Sequence, residues 1–266
     1  MPDSMTQLTQ ELIVEQKGSV ALLTLNRPEA LNALSHPLMD QMGEALKNFE
    51  ANSAIRVVVI AGSERVFAAG ADISEMQGKT SAEMRADPHL SRWDMVSNFP
   101  KPTIAAISGY ALGGGLELAL ACDLRVASET AVFAQPEISI GVIPGAGGTV
   151  RLARLLGRAL ALEMVLTGRR ISAHEALSLG MVNRVVPVEL FLDEAIKWAH
   201  QISAMPPLAA AAAKKSVLSA LNPDYPSYPA ALKLERELFY SLFDTEDQKE
   251  GMQAFTQKRK PEFKGK

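Results

Sequence analysis

The feature that most restricts the fold of this chain is a change of pattern near Pro187. Before this point, short runs of β-branched residues alternate with stretches of helical periodicity, as in an α/β protein. Beyond it, no run typical of a strand remains, and the helical stretches are separated by Pro206, Pro207, Pro223 and Pro226. We therefore expect an α/β core over residues 1–200 and a helical region over residues 201–266.

Within the core, the apolar pattern predicts short strands at residues 12–15, 20–25, 57–61, 103–107, 124–126 and 131–134. The first two form a hairpin across a Lys-Gly pair, and a loop rich in glycine and alanine runs through Asp72. Helices are predicted after the N-cap Ser35, up to Phe99 and from about Leu116. In the C-terminal region, four more helices are predicted over residues 190–202, 208–221, 230–243 and 247–258.

Composition excludes several classes of protein. A chain of 266 residues can bury a core without covalent links, and its one cysteine, Cys122, excludes an intrachain disulfide and a CxxC site. The net charge of −3 gives no indication of nucleic-acid binding, and no apolar run is long enough for a membrane span. Residues 1–20 lack the features of a signal peptide. We expect a soluble protein of the cytoplasm, or of the mitochondrial matrix if a presequence has been removed.

Common catalytic and cofactor motifs do not occur in the sequence. There is no G-x-S-x-G, and no lysine follows the glycine runs at Walker A spacing. Residues 145–150 imitate a dinucleotide fingerprint, but Val150 occupies the place of its last glycine. The four histidines never have the H-x-x-x-H spacing of a metal site. We therefore expect neither a metal nor a cofactor.

Two glutamates lie in unusually apolar surroundings. Glu117 is the ionisable group of the stretch GGGLELALA, and Glu137 follows FAQP and precedes isoleucine. Burying a carboxylate is costly unless it is paired or used. Each glutamate could pair with an arginine, Arg125 and Arg151 being available, or could face water. Because both lie beside glycine-rich turns, the pattern favours a shared cleft in which their pKa values are tuned.

The glycine-rich turns offer a second kind of chemistry. Residues 113–115 precede a predicted helix, so their backbone N–H groups are free and a ligand can approach closely. Residues 67–72 (FAAGAD) form another turn of small residues after a strand. Two such turns could each direct one N–H group at a single oxygen, as in an oxyanion hole. Tight connections between strand and helix are the alternative.

Several segments in order resemble the crotonase (enoyl-CoA hydratase/isomerase) family, from about residue 12 to the end. They are NRPEALNAL (26–34), FAAGAD (67–72), KPTIAA (101–106), GYALGGG (109–115), CDL (122–124), QPE (135–137), IPGAGGT (143–149), EGMQAF (250–255) and KRKPEF (258–263). The resemblance implies a spiral of repeated ββα units with C-terminal helices that drive trimerisation, as a homotrimer or a hexamer built as a dimer of trimers. It also implies an acyl-CoA thioester substrate, with coenzyme A as part of the substrate rather than a cofactor.

The resemblance also implies roles for individual residues. The backbone N–H groups of Ala71 and Gly114 would hold the thioester oxygen. Glu117 and Glu137 would be catalytic. Residues beside the adenine and pantetheine would be Ala69, Asp72 and Ile73, and Phe255 and Lys258 of a neighbouring subunit would approach the nucleotide end.

The same resemblance narrows the reaction. Hydratases carry a glutamate at both matching positions, as this chain does, whereas isomerases typically keep the second alone. The implied activity is syn addition of water to a 2-trans-enoyl-CoA, giving the (3S)-3-hydroxyacyl-CoA, in fatty-acid β-oxidation or related acyl-CoA degradation. The alternatives are a Δ3–Δ2 enoyl-CoA isomerase and an acyl-CoA-binding protein without turnover.

Overall fold

A computed structural model describes residues 11–221 and 227–266 of the protein. Ten strands form two sheets within these residues. The larger sheet has the order β1-β2-β3-β5-β7-β10 and the smaller sheet the order β4-β6-β8-β9. The strands are β1 (Leu12–Lys17), β2 (Val20–Leu25), β3 (Val57–Ala61), β4 (Val66–Ala68), β5 (Thr103–Ile107), β6 (Tyr110–Leu112), β7 (Leu124–Ser128), β8 (Val132–Ala134), β9 (Ile171–Ser172) and β10 (Arg184–Val186).

Helices connect these strands and then continue alone to the C-terminus. In the described residues they are α1 (His36–Ala51), α2 (Ser81–Ala86), α3 (Arg92–Ser97), α4 (Gly114–Ala121), α5 (Gly148–Leu156), α6 (Arg158–Thr167), α7 (Ala173–Ser178), α8 (Phe191–Ser203), α9 (Pro207–Ala220), α10 (Tyr228–Leu242) and α11 (Glu246–Gln257). The α/β fold with helices at its C-terminal end is confirmed.

The sheets are built from a repeated unit of two strands followed by helix. In each unit the first strand joins the larger sheet and the second joins the smaller sheet. Thus β3, β5 and β7 are parallel neighbours, and so are β4, β6 and β8. Because each unit adds a parallel strand to both sheets, the chain advances as a spiral of ββα units.

Apolar packing fixes the larger sheet between helices. The strands β2, β3 and β5 consist almost entirely of buried aliphatic residues, as expected of a parallel sheet that is covered on both faces. Phe191, Ala195 and Ala199 of α8 pack on one face. On the other, α1 buries Leu38, Met39 and Met42, and the side chain of its N-cap Ser35 accepts a hydrogen bond from the Leu38 N–H group.

Most predicted elements are present, with three corrections. The loop predicted through Asp72 contains β4, which is too short for its alternation to stand out but is fully buried in the smaller sheet. The helix predicted up to Phe99 is two short helices, α2 and α3, because Pro88 begins a separate 3-10 turn between them. Helix α4 begins at Gly114, two residues before the predicted start at Leu116.

The four predicted C-terminal helices are confirmed as α8 to α11. The ammonium group of Lys214 on α9 lies 2.7 Å from the Asp123 carboxylate, which joins this helix to the core. The predicted break points Pro223 and Pro226 lie outside the described residues, and the boundary at residue 200 stays a prediction. No helix in the described part of the chain is both long and apolar enough to cross a membrane.

Candidate active site

Three neighbouring strands of the smaller sheet end at one edge, and each is followed by a predicted site residue. Strand β6 pairs in parallel with β4 on one side and with β8 on the other. Ala71 follows the end of β4, Gly114 follows β6, and Glu137 follows β8. Parallel strands place their carboxyl ends on the same side of a sheet, where α/β proteins commonly bind ligands. The fold therefore gathers residues that are 66 positions apart in the sequence.

Glu117 lies in the first turn of α4 and is 3% exposed. Its Oε1 atom accepts hydrogen bonds from the backbone N–H groups of Ala146, at 2.8 Å, and Gly148, at 2.7 Å. The pKa of Glu117 is raised, because burial outweighs these two hydrogen bonds and the positive charge of Arg151, which lower it. The carboxyl group is thus buried and held by donors that favour its ionised form.

Glu137 begins a 3-10 turn just after β8 and is partly buried. Burial and, to a smaller extent, the nearby charge of Glu117 raise the pKa of Glu137 to about 7, against a hydrogen bond from its own backbone N–H group. The fully buried amide of Gln135, oriented with its nitrogen toward Glu137, donates to the two carboxyl oxygens at 2.8 and 3.1 Å. Near neutral pH, Glu137 is therefore able to carry a proton.

The arginines that could have neutralised the glutamates bind elsewhere. Arg125 donates to the carbonyl oxygens of Met181, Ala119 and Cys122. Arg151 donates to the carbonyl oxygen of Ala146 and to the hydroxyl of Ser97. Among the described residues, neither Glu117 nor Glu137 has an ion pair within 4 Å. The structural alternative of a Glu–Arg pair is therefore wrong.

Glycine is required where the strand end meets α4. Gly113 has φ 51°, and a Cβ atom there would lie 2.9 Å from Oε1 of Glu137. A Cβ atom on Gly114 would lie 2.9 Å from the backbone nitrogen of Ala71. Side chains at these two positions would therefore enter the space between the turn that carries Ala71, helix α4 and the Glu137 carboxyl group.

The two backbone N–H groups that were expected to hold an oxygen lie on adjacent segments. Gly114 is the first residue of α4, so its N–H group precedes the hydrogen bonds of the helix. Two backbone hydrogen bonds flank Ala71. The Leu34 N–H group donates to the Gly70 oxygen at 2.8 Å, and the Asp72 N–H group donates to the Leu34 oxygen at 3.2 Å. The indole N–H group of Trp93 fixes the Gly114 carbonyl at 2.9 Å. Their joint use as an oxyanion hole stays a prediction.

The residues expected near the nucleotide and pantetheine differ in what their side chains do. The Asp72 carboxylate accepts from Ser74 and from Arg27, at 2.6 and 3.0 Å, and both contacts lower its pKa. Its side chain thus stabilises the turn. Ala69 is half-buried beside it, and Ile73 is 50% exposed. The contact of Ala69, Asp72 and Ile73 with the adenine and pantetheine stays a prediction.

Phe255 lies on α11, and Lys258 is the C-cap of that helix. Phe255 is 85% exposed, which is unusual for a phenylalanine. Lys258 is exposed and has φ 55°, so its backbone ends the helix in the left-handed region. An exposed aromatic residue beside a lysine is consistent with contact to a neighbouring subunit's ligand, and that role stays a prediction.

Sequence reasoning missed four residues that shape the site: Ala146, Gly148, Gln135 and Trp93. The glycines of residues 145–150 were a signal for the first two, since they resembled a nucleotide motif and instead form the turn that holds Glu117. Gln135 adjoins Glu137 in the motif QPE. No pattern in the sequence distinguishes Trp93, because its partner Gly114 is 21 residues away.

Two buried carboxyl groups with differently tuned surroundings are typical of a site for general acid–base chemistry. Comparison with known proteins assigns the chain to a family. The family model described as Enoyl-CoA hydratase/isomerase matches residues 15–266. The chain therefore belongs to the enoyl-CoA hydratase/isomerase family.

Individual relatives cover nearly the whole chain. A probable enoyl-CoA hydratase of Rhizobium meliloti (strain 1021) is 51% identical, over 96% of this chain and 98% of its own. The mitochondrial enoyl-CoA hydratase of Pongo abelii is 49% identical, over 95% of this chain and 87% of its own. A crystal structure of "Enoyl-CoA Hydrates Subunit I" from Geobacillus kaustophilus HTA426 superposes with a TM-score of 0.92 at 47% identity, covering 96% of this chain and 98% of that one. The fold and family expected from the sequence are confirmed.

Proposed function

We propose that the protein is a hydro-lyase that adds water to the double bond of a 2-trans-enoyl-CoA. The observation that carries this proposal is the pair of carboxyl groups with different surroundings. Glu117 accepts two backbone hydrogen bonds that favour the carboxylate, and the pKa of Glu137 is raised to about 7. Hydration needs a base for water and an acid for carbon, which is the division that this pair offers.

The thioester oxygen would accept hydrogen bonds from the N–H groups of Ala71 and Gly114. When water attacks C3, the electrons of the double bond move toward the carbonyl and leave negative charge on its oxygen. Two fixed donors stabilise that charge, and the loss of one typically costs about 10²–10³-fold in rate. The proximity of the Gly114 and Ala71 backbones supports this role.

Glu117, as carboxylate, would orient the water and accept its proton while the oxygen bonds to C3. Glu137, as carboxylic acid, would deliver its proton to C2, and the carbonyl bond re-forms. Addition from one face gives the (3S)-3-hydroxyacyl-CoA. The two glutamates then hold exchanged protonation states, and one proton must return from Glu117 to Glu137 before the next turnover. Each proton transfer can contribute about 10²–10⁴-fold.

Two alternatives make different demands on the same site. A Δ3–Δ2 enoyl-CoA isomerase needs one group to move a proton between C4 and C2, and Glu137 could serve alone. An acyl-CoA-binding protein without turnover needs neither carboxyl group. The backbone donors built around Glu117 favour hydration, because neither alternative uses that carboxylate.

The decisive experiment follows the absorbance of the enoyl thioester of crotonyl-CoA with purified protein. We expect the band to disappear, and the product to be oxidised by a dehydrogenase specific for (3S)-3-hydroxyacyl-CoA. An unchanged band in the presence of tight binding would favour the binding protein. Turnover of 3-enoyl-CoA without hydration would favour the isomerase.

The remaining proposals concern the nucleotide end of the substrate and the assembly. The substrate is an acyl-CoA thioester, coenzyme A being part of it, and no separate cofactor is needed for this chemistry. Phe255 and Lys258 would approach the nucleotide of a ligand bound by a neighbouring subunit, in a homotrimer or a hexamer of two trimers. Their exposure on α11 supports this arrangement. Light scattering at micromolar concentration should give three or six subunits, whereas a stable monomer would contradict it.

The cellular setting follows from the same activity. We propose a role in fatty-acid β-oxidation or related acyl-CoA degradation, in the cytoplasm or in the mitochondrial matrix. The named bacterial and mitochondrial relatives support both locations. A panel of C4 to C16 enoyl-CoA substrates would show which chain lengths the protein prefers.

A further inference from the structure

Arg151 occupies a position that is unfavourable for an isolated cation. It lies in the first turn of α5, where the helix dipole disfavours positive charge. Burial also lowers its pKa. Among the described residues, no carboxylate lies within 4 Å of its guanidinium group. The helix dipole and burial both disfavour the charge of Arg151, and no ion pair within the described part of the chain offsets them. The position of this arginine therefore requires another explanation.

The side chain of Arg151 folds back onto the turn that precedes α5. Its Nη1 atom donates to the Ala146 carbonyl oxygen at 2.6 Å, and its backbone N–H group donates to the Gly147 oxygen at 2.8 Å. The fit is close, because a Cβ atom on Gly147 would lie 2.2 Å from Nη1, and Gly147 has φ 101°. The Nη2 atom donates a hydrogen bond to the Ser97 hydroxyl at 3.3 Å, and this bond connects the turn to α3.

The turn held by Arg151 is also the one that holds Glu117. The N–H groups of Ala146 and Gly148 both point to Oε1 of Glu117, while the carbonyl group of Ala146 points to Arg151. One peptide segment therefore connects the guanidinium to the carboxylate. The arginine also acts through space, because its charge stabilises the ionised Glu117.

We propose that Arg151 is a positioning residue that fixes the Ala146–Gly148 turn and supplies the positive charge that keeps Glu117 ionised. This inference rests on the proposed role of Glu117 as the base for water. It gives the buried Glu117 a cation that opposes the rise in its pKa caused by burial. Without the arginine, the Ala146 carbonyl oxygen would lose its donor. Glu117 would lose the positive charge that opposes the rise in its pKa caused by burial.

Other charged groups around the pair are few. Glu137 follows β8, and the charge of Glu117 raises the pKa of Glu137. Asp94 on α3 and the buried Cys122 at the end of α4 act on Arg151. The Cys122 thiol has its pKa raised to about 12 and stays neutral below that pH. Removing Arg151 therefore removes the cation that lowers the pKa of Glu117.

The test compares Arg151→Gln and Arg151→Lys with a control on the same helix, Arg154→Gln, whose side chain is exposed. In hydration of crotonyl-CoA, we expect Arg151→Gln to lower kcat by about 10–100-fold with KM within about twofold. The acid limb of kcat/KM should move up by roughly one pH unit. Arg151→Lys should keep that limb but lower kcat by about 3–10-fold, because lysine retains the charge and loses the planar fork. The control should match the wild type.

A direct titration separates this inference from the proposed activity. In a Glu137→Gln background, where Glu117 titrates alone, ¹³C-labelled glutamate would be followed by NMR, with Glu117→Gln used for assignment. The Glu117 midpoint should rise in Arg151→Gln and stay in place in Arg151→Lys. Wild-type protein without hydration would reject the proposed function, and this titration would still decide the role of Arg151.

An unmoved Glu117 midpoint in folded Arg151→Gln would overturn the inference. If Arg151→Gln does not fold, Arg151→Lys decides alone. In Arg151→Lys, a lowered kcat at unchanged KM and melting temperature would support the inference, and a kcat equal to that of the wild type would overturn it.

Discussion

The backbone N–H group of Gly148 donates to Oε1 of Glu117 at 2.7 Å, and a Cβ atom on that glycine would lie 3.0 Å from the same oxygen. The same Cβ atom would lie 2.9 Å from the side chain of Pro144 and 2.4 Å from that of Gln135. The glycine thus brings the donor to the carboxylate because it has no side chain. The position of the Glu117 carboxyl group therefore depends on the lack of a side chain at residue 148 as well as on the hydrogen bond.

Replacing Gly148 with alanine should therefore displace Glu117 without removing any functional group. We expect kcat for hydration to fall by about 10²-fold, since small misplacements of a catalytic group carry costs of this size. Gly78→Ala is the matched control, because a Cβ atom at Gly78 meets nothing within 4 Å. Steady-state kinetics with crotonyl-CoA would measure both variants. Wild-type kcat in Gly148→Ala would contradict the structural account of Glu117.

Glutamine substitutions at the two carboxyl groups separate hydration from isomerisation. Glu117→Gln and Glu137→Gln should each lower hydration kcat by about two to four orders of magnitude, because glutamine keeps the shape but cannot exchange the proton. Isomerisation of 3-enoyl-CoA should survive better in Glu117→Gln than in Glu137→Gln. Hydration near the wild-type rate in Glu117→Gln would reject the two-carboxyl mechanism and favour the isomerase.

The raised pKa of Glu137 should make stability depend on pH. Below its ordinary value of 4.5 the group is protonated in both states; between 4.5 and about 7 the unfolded chain has lost the proton and the folded chain keeps it. The free energy of unfolding therefore falls as pH rises through this window, by roughly 1–2 kcal/mol, because solvent screens a carboxyl group that is only partly buried. Glu137→Gln lacks this cost, so its stability relative to wild type should rise by roughly 1–2 kcal/mol between pH 5 and pH 8.

Urea unfolding at fixed protein concentration would measure this difference. The exposed Glu129 provides the control, since Glu129→Gln removes a glutamate from the same part of the chain. A constant difference between Glu137→Gln and wild type across the pH range would show that Glu137 is not perturbed by folding.

We expect Lys258 to contribute to binding of the nucleotide end of the substrate and not to the reaction itself. We expect Lys258→Ala to raise KM for crotonyl-CoA by about 5–20-fold at unchanged kcat, because an ammonium group that meets a phosphate is lost. The exposed Lys260→Ala on the same tail is the control. Crotonyl-pantetheine, which lacks the nucleotide, should show no difference between variant and wild type. An equal effect with both substrates would assign Lys258 a structural role.

The sequence predicted the larger sheet and the C-terminal helices well because their patterns are long and regular. Strand β3 is a continuous aliphatic run, and α8 repeats its apolar positions over 13 residues. Strand β4 has three residues, so its burial is decided by pairing with β6, a contact across more than 40 positions. Such short elements depend on partners that local periodicity does not reveal.

The two glutamates were identifiable because an ionisable residue in an apolar stretch is conspicuous. Their immediate surroundings were not, since the donors to Glu117 come from residues 29 and 31 positions later in the chain. The choice between an arginine partner and backbone donors was likewise open, because the sequence offers both Arg125 and Arg151 as possible partners. Only the three-dimensional path of residues 145–148 decides it.

The shared edge of β4, β6 and β8 also bears on how the substrate range can change. Neighbouring strands in a sheet are about 4.8 Å apart, so the ladder sets the spacing between the turns that follow them. The segment between β4 and β5 contains α2 and α3 and is free to vary in length without altering that spacing. Insertions there could remodel the space offered to an acyl chain while the reacting groups keep their separations. The architecture thus allows chain-length preference to evolve independently of the chemistry.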